Sequence, residues 1–287
     1  MQKITRPAFI LLLFSVFILI FSSERHILAQ AAWRLDADPA AIMPHHFRID
    51  KELQIAGGSQ PVPAALRSLP EALGCKDGTS LWIIDLRQES HGFLNGAAVS
   101  WHTEKNAANR GLQAAEVERR ERQQLAAVLH TEVIATPMGN ADQKAIAAPF
   151  AATVSDWATE RHLARTFGYG YQRFAATDMS WPEPQAIDDF VAFYRSLPQK
   201  HGWLFFHCQA GQGRTTTFMT LYELLEIPGI SAAEAAAHQK ALGGADLVQT
   251  GYLPELEQFS MYIKDTRGQD FVVSWSQWLT QHSTPSR

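Results

Sequence analysis

One stretch constrains this chain more than any other: residues 203–216, WLFFHCQAGQGRTT. Four apolar residues run into His207-Cys208, two glycines follow, and 215–226 reads as a helix. Strand, glycine loop and helix in that order make an anion site, because the N–H groups of the loop and of the first helical turn lack partners of their own. The segment from Cys208 to Arg214 is long enough to wrap a tetrahedral oxyanion, and Gly211 and Gly213 permit the backbone angles such a nest requires. Cys208 lies at the foot of the loop, where the positive end of the helix favours an ionised, nucleophilic sulfur. Arg214 supplies a planar fork for two oxyanion oxygens, and Thr215 is placed to donate a hydroxyl hydrogen bond to the sulfur. A Cys-x5-Arg spacing alone arises by chance, and the bland alternative is a buried inert cysteine with a surface arginine. The preceding strand, both glycines, the threonine and the helix together argue against it.

Transfer of a group to sulfur also needs an acid to protonate the leaving oxygen. Thirty residues upstream, AATDMSWPEP (175–184) reads as a loop between a strand and a helix, and Asp178 is the candidate. Trp181 and Pro182 would form a stiff hinge that carries the carboxyl over the anion. The competing reading is helix capping, with Asp178 or Ser180 ending the strand and Pro182 opening the helix. Glu183, Asp188 and Asp189 are alternative acids, but they fall in the expected helix and are less free to move.

The rest of the chain reads as one α/β unit. Short apolar runs at 53–56 (LQIA) and 81–86 (LWIIDL) and the segment 171–176 suit strands; helices are expected over 63–73, 113–129, 150–167, 185–197, 232–242, 254–264 and 275–279. Residues 92–149 do not fit this alternation and are expected to house an inserted subdomain. With 287 residues, 46% of them hydrophobic, there is ample material for a core, and 25 Lys+Arg against 29 Asp+Glu disfavour a nucleic-acid-coating role. Cys75 and Cys208 allow at most one disulfide, and no Cys/His cluster has zinc-site spacing. Cys75 reads as a small buried residue ahead of the strand at 81, though a bridge to Cys208 would disable the nucleophile. His45, His46, His91, His102 and His207 are expected to be hydrogen-bonded or surface residues rather than metal ligands, with His207 a buried imidazole supporting the loop backbone. Residues 8–21 are apolar except for Ser15, follow Lys3 and Arg6, and precede Ala29-Gln30-Ala31. That is the pattern of a secretory signal over 1–31, with 32–287 as the exported domain in the periplasm or medium. The rival is an uncleaved anchor.

These segments resemble the cysteine-dependent phytases, tyrosine-phosphatase-like enzymes that remove phosphates from myo-inositol polyphosphates. HCQAGQGRTT is similar to the family's phosphate loop, ATDMSWPEPQAIDDFVAFYRSLP to its general-acid segment, and DLRQESHGFLNGAAVSWH to a block that separates it from ordinary tyrosine phosphatases. HHFRID and the Trp275/Trp278 tail also match. The resemblance implies a tyrosine-phosphatase-like central sheet flanked by helices, with a small β-barrel-like subdomain. It implies Cys208 as nucleophile, Arg214 as phosphate fork, and Asp178 as acid and then base. His207, Gln209, Ala210, Gly211, Gln212 and Gly213 would form the binding loop, with Arg48 and Asp85 facing the substrate. The implied partner is an inositol phosphate, with no metal, cofactor, nucleic acid or stable membrane partner unless the leader stays attached. Three departures stand out: Met179 replaces a common histidine beside the acid, 243–253 contains no Lys or Arg, and Gln209 and Gln212 stand where lipid-directed dual-specificity relatives often place lysine. All three lower the positive charge around the pocket, so slower turnover of the hexakisphosphate is expected. A secreted protein tyrosine or dual-specificity phosphatase and a non-catalytic phospholigand-binding module are the alternatives. Histidine acid phosphatase and β-propeller phytase chemistry are disfavoured: 161–165 (RHLAR) lacks the needed Gly and Pro, and no repeated all-β blades occur.

Overall fold

The computed structural model describes residues 32–76, 80–137 and 148–282. The secretory signal expected over 1–31 lies outside the described residues. In chain order the strands are β1 (Ala32–Leu35), β2 (Arg48–Asp50), β3 (Ile55–Gly58), β4 (Leu81–Arg87), β5 (His91–Leu94), β6 (Ala97–His102), β7 (Glu132–Pro137), β8 (Phe150–Thr153), β9 (Trp157–Ala158), β10 (Gly170–Ala176) and β11 (Trp203–His207). The helices are α1 (Pro63–Ala72), α2 (Ala114–Ala127), α3 (Glu160–Thr166), α4 (Pro184–Ser196), α5 (Gly213–Glu226), α6 (Ala232–Ala241), α7 (Leu253–Thr266) and α8 (Trp275–His282), with 3-10 turns at Glu104–Asn109 and Arg267–Gln269.

The central sheet has the order β10-β4-β11-β3-β2, parallel throughout except for β2, which runs antiparallel to β3 at the edge. Its inner strands are mostly apolar along the first part of their length because both faces are covered, and β4 turns charged at Asp85 and Arg87 toward its carboxyl end. Successive residues alternate sides: Ile84 and Phe206 pack with Phe174, Phe190 and Phe218 on one face, while Ile83 and Phe205 pack with Leu66 and Tyr171 on the other. Helix α5 is buried from Arg214 to Leu225, so this stretch presents no face to solvent. Parallel pairing of His207 with Asp85 and with Gly58 brings the carboxyl ends of β3, β4 and β11 to one side, where ligands bind in open α/β sheets. No helix among the described residues is long and apolar enough to cross a membrane.

The second sheet has the order β8-β7-β1-β6-β5-β9 around a separate core of Trp33, Leu35, Val99, Leu125 and Val133. It therefore draws on residues outside the 92–149 expected for the subdomain: β1 precedes that range, and β8 and β9 follow it. The helix expected over 150–167 is a second correction. Residues 150–158 form two short strands, and α3 begins only after Thr159, whose hydroxyl accepts the His162 N–H at 3.2 Å. That N-cap is the local signal separating the two halves.

Candidate active site

The loop after β11 is held from outside by three consecutive carbonyls. Gln209 O accepts the Gln60 N–H at 3.1 Å, Ala210 O lies 2.8 Å from His46 Nδ1, and Gly211 O accepts Arg48 Nη1 at 2.7 Å. In a trans peptide the N–H points opposite to the C=O, and no cis bonds occur among the described residues. The N–H groups of Ala210, Gly211 and Gln212 are thus turned to the opposite side, toward the interior of the loop, and that of Gly211 reaches Cys208 Sγ at 3.3 Å. Gly211 has φ of 78°, and a Cβ there would lie 2.4 Å from both Gly58 C and Ser59 N. Gly213 differs from expectation: its φ is not positive, and a Cβ would meet nothing within 4 Å.

Arg214 leaves the first turn of α5 and is buried. Its Nη1 and Nη2 bond Glu89 Oε2 and Oε1 at 2.7 and 3.0 Å, and Nη2 lies 3.1 Å from Asp178 Oδ1. Glu89 also accepts Arg87 Nε at 2.9 Å, while Arg87 Nη1 donates to Asp36 and Gln60 at 2.8 Å each. Burial alone would push the Glu89 carboxyl up, but the guanidinium groups of Arg214 and Arg87 hold it well below the ordinary carboxylate range. Arg214 Nε is buried without a partner among the described residues, as are Gln209 Nε2 and Thr215 Oγ1. These are donors of the kind an oxyanion satisfies. The bond expected from Thr215 to the sulfur is not formed; Gly211 N–H takes that place.

Asp178 sits beside this fork. Its Oδ2 accepts Asn106 Nδ2 at 2.9 Å, and Asn106 Oδ1 is 2.6 Å from His102 Nδ1. Because the Asn106 amide nitrogen is spent on Asp178, its oxygen must accept, which places a proton on His102 Nδ1. Burial first, then the charge of Arg34, lowers the pKa of His102 and favours the neutral ring. The loop that carries Asp178 is closed by Thr177, whose hydroxyl bonds Glu183 and Gln88 Oε1, and by Trp181 packed edge-on against Tyr252 at 5.7 Å. The alternative acids have other partners: Glu183 caps this turn, Asp188 accepts from Ser276, and Asp189 accepts from Gln185.

Three residues expected at the substrate lie beneath the loop instead. Asp85 is fully buried and takes a 2.6 Å bond from Tyr171 Oη and a 3.2 Å contact from Arg173 Nε. His207 is fully buried with Nε2 3.0 Å from Glu160 Oε2, so it meets a carboxylate rather than the loop backbone. Burial opposes ionisation of Glu160, yet His207 and His91 pull its pKa far down. Arg48 is 5% exposed, is pushed down to about 10 by burial, and works on the loop from behind, also donating to Thr216 Oγ1 at 3.1 Å. In each case β4, β11 and β2 are central or covered strands, and their side chains at these positions point into packed layers. Both cysteines are free thiols; Cys75 packs on the Phe205 face of the sheet and Cys208 on the Phe206 face. Sequence reasoning missed the roles of Glu89, Asn106, His102 and Glu160. Glu89 stood inside the DLRQES block, but nothing local pairs it with a residue 125 positions away.

The sheet, the carbonyl-braced loop and the Cys208–Arg214 pair together define a protein of the tyrosine-phosphatase class of cysteine-centred oxyanion sites. A family model described as PTP-like phytase, inositol hexakisphosphate, matches residues 84–226. The chain belongs to the PTP-like phytase family. Among solved structures it is similar to a tandemly repeated protein tyrosine phosphatase-like phytase from Mitsuokella multacida, at 30% identity and TM-score 0.77 over 87% of this chain and 49% of that one. It is also similar to a PTP-like myo-inositol phosphatase of the same organism in complex with myo-inositol-(1,3,4,5)-tetrakisphosphate, at 27% identity and TM-score 0.79 over 91% and 52%. A PTP-like phytase from Bdellovibrio bacteriovorus matches at 28% identity and TM-score 0.69 over 87% of this chain and 95% of that one. Among curated proteins, the effector protein hopD2 of Pseudomonas syringae pv. tomato is 27% identical over 74% of this chain and 48% of its own length. The chain thus spans about half the length of the first relatives it matches.

Proposed function

We propose that this protein hydrolyses phosphomonoesters of myo-inositol polyphosphates through a phosphocysteine. The observation that carries the proposal is a carbonyl-braced loop whose Gly211 N–H reaches the Cys208 sulfur, closed by the Arg214 fork 3.1 Å from the Asp178 carboxyl. In the first step the Cys208 thiolate attacks phosphorus and the phosphorus–oxygen bond to inositol breaks. Protonated Asp178 gives its proton to the departing oxygen, while Arg214 and the loop amides hold the equatorial oxygens. In the second step Asp178, now a carboxylate, takes a proton from water as the oxygen attacks phosphorus, releasing phosphate and restoring the thiolate. The family match and the relative solved with an inositol tetrakisphosphate support the substrate class.

One observation favours a second reading, a phosphotyrosyl or dual-specificity phosphatase: Gln209 and Gln212 stand in the loop, and 243–253 lacks Lys and Arg, so the surroundings carry little charge for a polyanion. Phosphate release should be followed from inositol hexakisphosphate, from less phosphorylated inositol phosphates and from a phosphotyrosyl peptide, with wild type and Cys208→Ser. Turnover of the inositol phosphates by wild type alone is expected. Turnover of the peptide alone would replace the substrate assignment, and tight binding without phosphate release would make this a binding module. The basic, apolar and small-residue pattern of 1–31 supports export to the periplasm or medium. Recovery of the expressed full chain in the cytoplasm, at its uncleaved mass, would overturn that.

A further inference from the structure

A second cluster of ionisable groups lies away from the phosphate loop. Asp50 ends the edge strand β2, Glu223 lies about 15 Å along α5 from Gly213, and His238 lies on α6. One donor atom from each falls within 4.8 Å of the others. His238 Nδ1 is 2.8 Å from Glu223 Oε1 and 3.9 Å from Asp50 Oδ2. Both carboxylates are buried, at 4% and 1% side-chain exposure, while His238 is 44% exposed and provides a route from solvent.

The oxygens are unequally satisfied. Asp50 Oδ1 accepts the N–H groups of Glu52 and Leu53 at 3.1 Å, and Glu223 Oε2 accepts Gln239 Nε2 at 2.8 Å. Asp50 Oδ2, which faces His238, is buried with no hydrogen-bond partner. The amide oxygen of Gln239, fully buried beside Glu223, has none either. Among the described residues His238 is the only basic side chain within 4 Å of either carboxylate. Two buried carboxylates balance a divalent charge, and one nitrogen with two oxygens is a donor set for the zinc and manganese class.

We propose that Asp50, Glu223 and His238 form a divalent transition-metal site. The cation takes the place of the His238–Glu223 contact and meets the unpartnered oxygen of Asp50. Its place in the fold gives it a structural role. It joins the edge strand that carries Arg48, which braces the loop, to α5, the helix whose first turn carries Arg214, and to α6. The site uses no residue of the proposed phosphatase mechanism, so it stands or falls separately from that reading.

The test uses the full chain carrying Cys208→Ser, which removes the thiolate as a competing ligand. After chelation and dialysis, Zn2+ and Mn2+ are titrated while bound metal and thermal stability are measured. Co2+ is added separately, and its visible absorption reports coordination. One equivalent of metal is expected, with Tm rising on the order of 5 °C at a hundredfold excess over Kd. His238→Ala, at a half-exposed position, should fold and lose both the shift and the Co2+ bands. Glu223→Gln and Asp50→Asn should weaken binding at least tenfold. No stoichiometric binding by the His238-containing protein, or an undiminished shift in His238→Ala, overturns the proposal.

Discussion

Arg214 and Glu89 meet through two nitrogen–oxygen contacts of 2.7 and 3.0 Å, both side chains 3% exposed, across 125 residues of sequence. The pairing presents the rest of the guanidinium to the loop, and Arg87 completes the charge balance on Glu89. Glu89→Gln leaves two buried guanidinium groups undercompensated and should cost about 3 to 5 kcal/mol of stability at pH 7. Misplacement of the fork should lower kcat/KM by about a hundredfold. Because the folded-state pKa of Glu89 lies below its ordinary 4.5, its stabilisation is present above that value and lost as pH falls toward the folded value. The stability gap between wild type and variant should therefore narrow in denaturant melts below pH 4.5; a gap that is constant down to pH 3 would contradict the assignment.

Asp178 lies 3.1 Å from Arg214 and is held by Asn106. Asp178→Asn should reduce kcat toward inositol hexakisphosphate by about 10² to 10⁴. An aryl phosphate with an acidic phenol needs little protonation of its leaving oxygen, so its first step, read as the burst of phenol, should change by less than about tenfold. Equal losses on the two substrates would remove Asp178 from the acid role. Asn106→Ala, which frees the carboxyl without deleting it, should give an intermediate loss with the same dependence on leaving group.

Arg48 touches the loop only from behind, through Gly211 O and Thr216 Oγ1. Arg48→Met keeps the apolar stem and removes both bonds together with the one to His46 O at 3.1 Å. It should cost about 2 to 3 kcal/mol in stability and raise KM about tenfold for every phosphoester alike. A loss confined to highly phosphorylated inositols would show instead that Arg48 contacts substrate.

Gly211 and Gly213 should respond in opposite ways. At Gly211 an added Cβ meets two backbone atoms at 2.4 Å with φ at 78°, so Gly211→Ala should lose more than about 2 kcal/mol and abolish phosphate binding. At Gly213 the Cβ enters open space at a helical position, and Gly213→Ala should hold or raise Tm. Melting curves of the two variants with and without inorganic phosphate distinguish these outcomes.

Where local pattern carried the information, the structure agrees with it. The β11–loop–α5 unit follows from an apolar run, glycines and a helix within 24 residues. The two strands of 150–158 did not, because their exposed and half-buried residues alternate weakly and sit next to a true helix. Asp85 is expected to face the substrate, yet with His207 it belongs to a fully buried charge network of Arg173, His91 and Glu160. Nothing in a strand's own sequence distinguishes a polar residue aimed at a ligand from one paired inside the protein.

The chemical core is legible before the chain folds: a cysteine and an arginine at the two ends of a glycine-bearing loop, and an aspartate on a turn ahead of a helix. These depend on spacing and on backbone angles, which neighbouring residues set. What aims them comes from the packing of distant segments. Glu89 on Arg214, Asn106 on Asp178, Gln60, His46 and Arg48 on successive loop carbonyls, and Glu160 under His207 are contacts between distant segments. Such contacts exist because burying a charged or polar group without a partner is costly, and the partner is whichever residue the packed sheets and helices bring within bonding distance.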